Sequence, residues 1–119
     1  MGFREHLQDI CEGVEGAVAC SVMGFDGISI DTHEAAAGDL DIPNLLVEYT
    51  TLLNQVRSAA GVLQSGGVKE LVVATDQLTT LARPLNSEYY LLLALKPDSN
   101  WGKARYMMRI TAAKVQAEF

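Results

Sequence analysis

The sequence predicts a single α/β domain over residues 1–119, laid out as helix–two strands–helix–three strands–helix, α-β-β-α-β-β-β-α. Three observations predict it. The apolar residues switch between helical and strand spacing along the chain. Two strand-like segments are apolar on both faces, as central strands covered from either side must be. Short turn signals join neighbouring strands, so consecutive strands pair antiparallel. Joining the first hairpin strand to the last strand gives a five-stranded antiparallel sheet of order 2-1-5-4-3. The one long helix covers one face and the two terminal helices cover the other.

Phe3, Leu7, Ile10, Cys11 and Val14 fall at helical spacing, with Arg4, Glu5, Gln8, Asp9 and Glu12 on the opposite side. That is an amphipathic helix, ended near Gly13 to Gly16. Ala17 to Phe25 is apolar throughout and reads as a central strand. Asp26-Gly27 signals a tight hairpin, because Gly accepts the positive φ that such turns need. Ile28, Ile30 and Thr32 alternate with Ser29 and Asp31 as in a half-buried strand, and His33 to Leu40 reads as a loop.

Asp41 is a good N-cap and Pro43 fits a first helical turn, where its missing N–H costs nothing. Leu45, Tyr49, Leu52, Leu53, Val56, Ala60 and Leu63 then form one stripe, stopped by Ser65-Gly66-Gly67. Three short strands follow: Val68 to Ala74, Leu78 to Arg83 and Glu88 to Lys96, the last apolar on both faces. Asn100 caps the final helix, whose stripe is Trp101, Ala104, Met108, Thr111, Val115 and Phe119, with Met107 beside it. Strand Val68–Ala74 lies at a sheet edge yet carries Leu71, Val72 and Val73. An apolar edge invites pairing with another chain, and a homodimer sealed strand against strand is the simplest remedy.

Composition narrows the function. With 49% hydrophobic and 20% charged residues, the chain of 119 residues is globular in type. A net charge of -6 argues against nucleic acid, which needs clustered Lys and Arg, and against an anionic membrane surface. No apolar run is long enough to span a membrane. Met1 to His6 is polar and mixed in charge, unlike a signal peptide, and His6 stands where a myristoylation pattern requires Ser or Thr. Cys11 and Cys20 read as buried small hydrophobes in a reducing compartment, so a cytoplasmic location is expected.

Residues that could do chemistry are present but not arranged for it. His33 with Asp31, Asp39 and Asp41 matches no standard metal spacing and reads as a solvated acidic loop. His6 reads as a surface histidine. Ser21, Ser29 and Ser58 lack a nucleophile-elbow context. Gly61, Gly66 and Gly67 are not a phosphate loop, because no Gly-Lys-Ser/Thr follows. No enzyme activity, cofactor or metal is expected. Arg57, the only arginine of the long helix, invites an arginine-finger reading, against which stand a solvated face or an interface ion pair. Arg105 reads as a structural cation, and Trp101, Met107 and Met108 as core.

The chain resembles the roadblock/dynein light chain family, its bacterial MglB-type branch most of all. The order of elements carries this over essentially the whole length. Three local patterns add to it: the hairpin Val22 to Ile30 around Asp26-Gly27, the Asp41-capped long helix, and the Trp101-Gly102-Lys103-Ala104-Arg105 start of the last helix. The resemblance implies a homodimer built on the long helix and the edge strand, through Leu52, Val56, Leu71, Val72 and Val73. It implies that the paired long helices form a platform for a Ras-like small GTPase, whose hydrolysis the dimer stimulates by positioning the GTPase's own residues. Glu48, Thr51, Gln55 and Arg57 are then the candidate partner-binding residues. A scaffold subunit that holds a larger assembly without touching hydrolysis is the alternative.

Overall fold

A computed structural model describes residues 2–35 and 40–119. Its elements are α1 (Phe3–Gly13), β1 (Ala17–Gly24), β2 (Ser29–Glu34), α2 (Ile42–Leu63), β3 (Leu71–Ala74), β4 (Thr79–Pro84), β5 (Tyr89–Leu95) and α3 (Trp101–Gln116). All five strands form one antiparallel sheet in the order β2-β1-β5-β4-β3, as the sequence predicts. The two doubly apolar segments, β1 and β5, pair with each other at its centre.

Alternation along these strands feeds two cores. Cys20 and Val22 of β1 and Leu91, Leu93 and Leu95 of β5 point to one face, where Leu7, Ile10 and Cys11 of α1 and Ala104, Met108 and Val115 of α3 cover them. Ala19 and Met23 of β1 with Tyr90 and Leu92 of β5 point to the other, under Ile42, Leu45, Leu46 and Leu53 of α2. Tyr90 is fully buried, so its hydroxyl needs a partner. Thr50 Oγ1 donates to the Leu46 carbonyl at 2.8 Å and accepts from Tyr90, which ties α2 to the central strand.

Several boundaries differ from the sequence expectation for identifiable reasons. The β1–β2 connection is the four residues Phe25, Asp26, Gly27 and Ile28. Gly27, at φ 90, donates to the Gly24 carbonyl at 3.0 Å, and Ile28 N donates to Asp26 Oδ1 at 3.0 Å. Ile28 and Ile30 are 64% and 44% exposed rather than half-buried. A register shift between Val22 and Met23 sets Ile30 as the extra residue of a bulge and turns the edge strand's apolar side chains outward. Strand β3 is shorter than the expected Val68–Ala74, since its pairing with β4 begins at Leu71↔Ala82. The long helix ends not at the glycines but at Gln64, in the left-handed region at φ 55, whose N–H reaches the Ala60 and Gly61 carbonyls.

The helix starts follow the expected capping. Asp41 Oδ1 accepts from Asn44 N at 3.2 Å and Asn100 Oδ1 accepts from Lys103 N at 3.1 Å. His6 is not a surface residue. It is half-buried with Nε2 3.1 Å from Glu118 Oε2. Phe3, Tyr89 and Phe119 stack beside it, with ring centroids 4.8 and 4.5 Å apart, so the two chain ends close against each other. Trp101, expected in the core, is 48% exposed.

Candidate functional site

The candidate surface is the outer side of α2 together with the free edge of β3. The helix is 22 residues long, about 33 Å at 1.5 Å per residue. Its last fully buried residue is Leu53. Beyond it burial falls away toward the helix C-terminus. Val56 and Ala60 of the expected stripe are half-buried there, and Val62 and Leu63 are 82% and 74% exposed. A stripe that is only half-buried at Val56 and Ala60 and exposed at Leu63 among the described residues is what a partner-covered helix looks like.

Strand β3 pairs with β4 alone, through Leu71↔Ala82, Val72↔Leu81, Val73↔Thr80 and Ala74↔Thr79. Its other edge carries unpaired backbone donors and acceptors. The five residues expected at a dimer interface thus fall into two groups. Leu52 and Val56 are half-buried on α2, and Leu71, Val72 and Val73 are half-buried along the edge strand. Alternation splits the second group further. Leu71 packs with the α2-side core and Val72 with the core under α1 and α3.

Glu48, Thr51 and Gln55 are all exposed and share one face of α2, at the three- and four-residue spacing that stacks side chains. Arg57 does not join them. Nine residues beyond Glu48 it lies on the opposite side of the helix, at 100° per residue. Its guanidinium sits 3.6 Å from the Phe25 ring centroid and donates to Asn54 Oδ1 at 3.2 Å. Asn54 Nδ2 in turn donates to the Phe25 carbonyl at 2.9 Å, and the Phe25 ring lies 5.2 Å from that of Tyr90. Arg57 and Asn54 therefore clamp the β1–β2 hairpin to the middle of α2, and Arg57 is neither a solvated-face cation nor a free finger. Phe25 and Asn54 were not singled out from the sequence. No local spacing signals a contact between a helix and a hairpin tip.

Among the described residues, no group of three or more His, Cys, Asp or Glu could hold a metal ion. Asp39, part of the acidic loop considered above, lies outside the described residues. Cys11 and Cys20 are free and buried in one core. Burial, with the charge of Glu12 adding to it, pushes the Cys11 thiol up to about 11, and burial raises Cys20 well above its ordinary value. Neither is a ready thiolate nucleophile. No helix among the described residues is long and apolar enough to cross a membrane.

Compared with solved structures, the chain is 48% identical to MglC from Myxococcus xanthus, with 100% of each chain covered and a TM-score of 0.74. A roadblock/LC7 domain from Streptomyces avermitilis superposes with a TM-score of 0.87 at 15% identity, covering 99% of this chain and 98% of that one. The gliding protein MglB from Thermus thermophilus does so with a TM-score of 0.87 at 14% identity, covering 97% and 86%. At those low identities the likeness is one of fold. No family model matches the chain, and no curated protein does.

Proposed function

Because the chain belongs to the roadblock/LC7 family, we propose that it is a cytoplasmic homodimeric adaptor that binds and regulates a Ras-like small GTPase without catalysing turnover itself. A small adaptor or regulator is the functional class that the fold indicates. The observation that carries the finer reading is α2. Its apolar stripe is only half-buried at Leu52, Val56 and Ala60 and exposed at Leu63, and an adjoining face presents Glu48, Thr51 and Gln55 to solvent. Two such helices side by side across a dyad make a rigid platform. A platform of this kind accelerates hydrolysis by holding a partner's mobile segments in the reactive arrangement, with no charged group donated. The seating of Arg57 against Phe25 and Asn54 supports a platform over a finger.

A scaffold that leaves hydrolysis unchanged is the second reading, because the likeness to MglB is one of fold alone. Identity is 48% to MglC but 14% to MglB from Thermus thermophilus. Single-turnover GTP hydrolysis by the cognate GTPase, with and without the adaptor, separates the two. Stimulation that Glu48→Lys weakens, with the dimer intact, supports regulation. Stable binding with an unchanged hydrolysis rate selects the scaffold, and no binding at all overturns both.

A further inference from the structure

On the other side of the sheet, away from the α2 platform, lies a charge arrangement that neither the core nor the platform uses. The chain carries a net charge of -6 and five arginines, Arg4, Arg57, Arg83, Arg105 and Arg109. Three of the five line one open cleft of about 430 Å³, together with Glu70, Gly102 and Tyr106. Arg83 comes from β4, while Arg105 and Arg109 stand one turn apart on α3, and Glu70 immediately precedes β3.

The single acid does not neutralise the site. Glu70 Oε1 lies 2.9 Å from an Arg105 Nη atom, and its other oxygen is 4.0 Å from Arg83. Among the described residues Arg109 has no carboxylate partner. Its guanidinium rests 5.6 Å from the Tyr106 ring centroid. Like charges at i and i+4 on a helix repel, so α3 carries Arg105 and Arg109 against its own stability. Glu70 offsets this at Arg105, while Arg109 has only the Tyr106 ring among the described residues, and a conflict offset on one side alone is the kind that binding sites carry. Three guanidiniums against one carboxylate leave two positive charges over a cleft open to solvent.

We propose that this cleft binds a phosphate group, held by the guanidinium forks of Arg83, Arg105 and Arg109. The charge match decides the chemistry. A phosphate monoester carries about −1.5 to −2 at neutral pH and three acceptor oxygens, which balances the surplus of the site, whereas one carboxylate leaves it half-neutralised. Planar guanidiniums make paired, charge-assisted hydrogen bonds to such oxygens. Glu70 orients Arg105 and at the same time repels the ligand, so it sets the affinity low and the binding reversible. The phosphate is either free inorganic phosphate or a phosphorylated side chain of a partner protein.

The test uses the full chain and the guanidinium Nε–H signals of a ¹H–¹⁵N spectrum. Inorganic phosphate is titrated against sodium chloride at matched ionic strength, followed by a phosphoserine peptide, its unphosphorylated form and a Glu-substituted form. The expected result is saturable movement of the Arg83, Arg105 and Arg109 signals with phosphate and not with chloride. Arg83→Gln and Arg109→Gln are each expected to weaken it roughly tenfold, the loss of one charge-assisted hydrogen bond, with backbone dispersion unchanged as the folding control. Glu70→Gln is expected to tighten it. A phosphopeptide that binds at least tenfold more tightly than inorganic phosphate assigns the source to a modified partner, and equal affinity assigns it to the free ion. Equal responses to chloride and phosphate, or responses unaltered in both arginine variants, overturn the proposal. So does a Glu peptide that binds where phosphate does not. Because the cleft and the α2 platform lie on opposite faces, either can fail without the other.

Discussion

Arg57 shows what a helical wheel cannot reveal about a single side chain. Its spacing leaves it off the apolar stripe, which suggests solvent, yet the hairpin folds back under it and supplies an aromatic ring, while Asn54 one turn earlier on the same helix supplies an acceptor. Arg57→Ala should therefore cost about 0.5–1 kcal/mol of stability, the range of a partly exposed cation–π contact, read as a shift in urea midpoint. GTPase stimulation by the variant should fall far less than the thousand-fold loss expected of a true finger. Abolished stimulation with binding unchanged would reverse that assignment. The two thiols give a pH prediction. Burial lifts Cys11 from an ordinary value of 9.0 to about 11, and Cys20 and Tyr90 are also raised. A raised pKa in the folded state means that only the unfolded chain loses these protons near pH 9. Stability should hold steady below about pH 9 and decline as the pH climbs toward 11. Denaturant midpoints measured across that window check this, and a flat profile contradicts it.

Among the elements, β3 and α2 are the ones their own chain leaves incomplete. Strand β3 has one paired edge, and α2 has no fully buried residue after Leu53 and exposes Val62 and Leu63 near its end. The edge residues are not equivalent as probes. Val72 packs against the core beneath α1 and α3, so a charge there damages the fold as well as any interface. Val73 is half-buried and outside both core clusters. Val73→Lys should therefore weaken self-association by roughly tenfold or more, through an unpaired charge at the contact, while the monomer keeps its circular dichroism spectrum. Unchanged sedimentation of this variant would place the dimer contact elsewhere.

For the whole molecule, an open edge strand and an overhanging helix on the same chain argue for one two-fold partner that covers both. A mass of about twice the 12.9 kDa chain is expected at micromolar concentration. Sedimentation giving a single-chain mass would remove the platform altogether. With a cognate GTPase, one partner per dimer is expected, because an asymmetric ligand seated on the two-fold axis contacts the two equivalent halves differently and blocks a second copy. Light scattering of the complex measures this ratio directly. The stack of Phe3, Phe119 and Tyr89 and the contact between His6 and Glu118 join the two chain ends, so the terminal helices work as one layer behind the sheet.

Element order, sheet order and the two central strands were legible in the sequence, because each rests on short-range patterns. Apolar residues at period 3.6 or 2 decide what a segment is, and a segment apolar on both faces must lie between two layers. Asp41 and Asn100 could be read as caps for the same reason, since a cap bonds three residues away. The free edge at β3 was also legible, because strand order leaves one strand at each end. Positions that depend on distant segments were not. The half-buried His6 pairs with Glu118 across the length of the chain, the bulge at Ile30 turns apolar side chains outward, and Arg57 finds Phe25. Arg105 and Arg109 are four residues apart on one helix, but Arg83 joins them only because β4 passes beneath α3. Periodicity fixes which face a side chain takes on its own element. Only the packed structure decides which other face it meets.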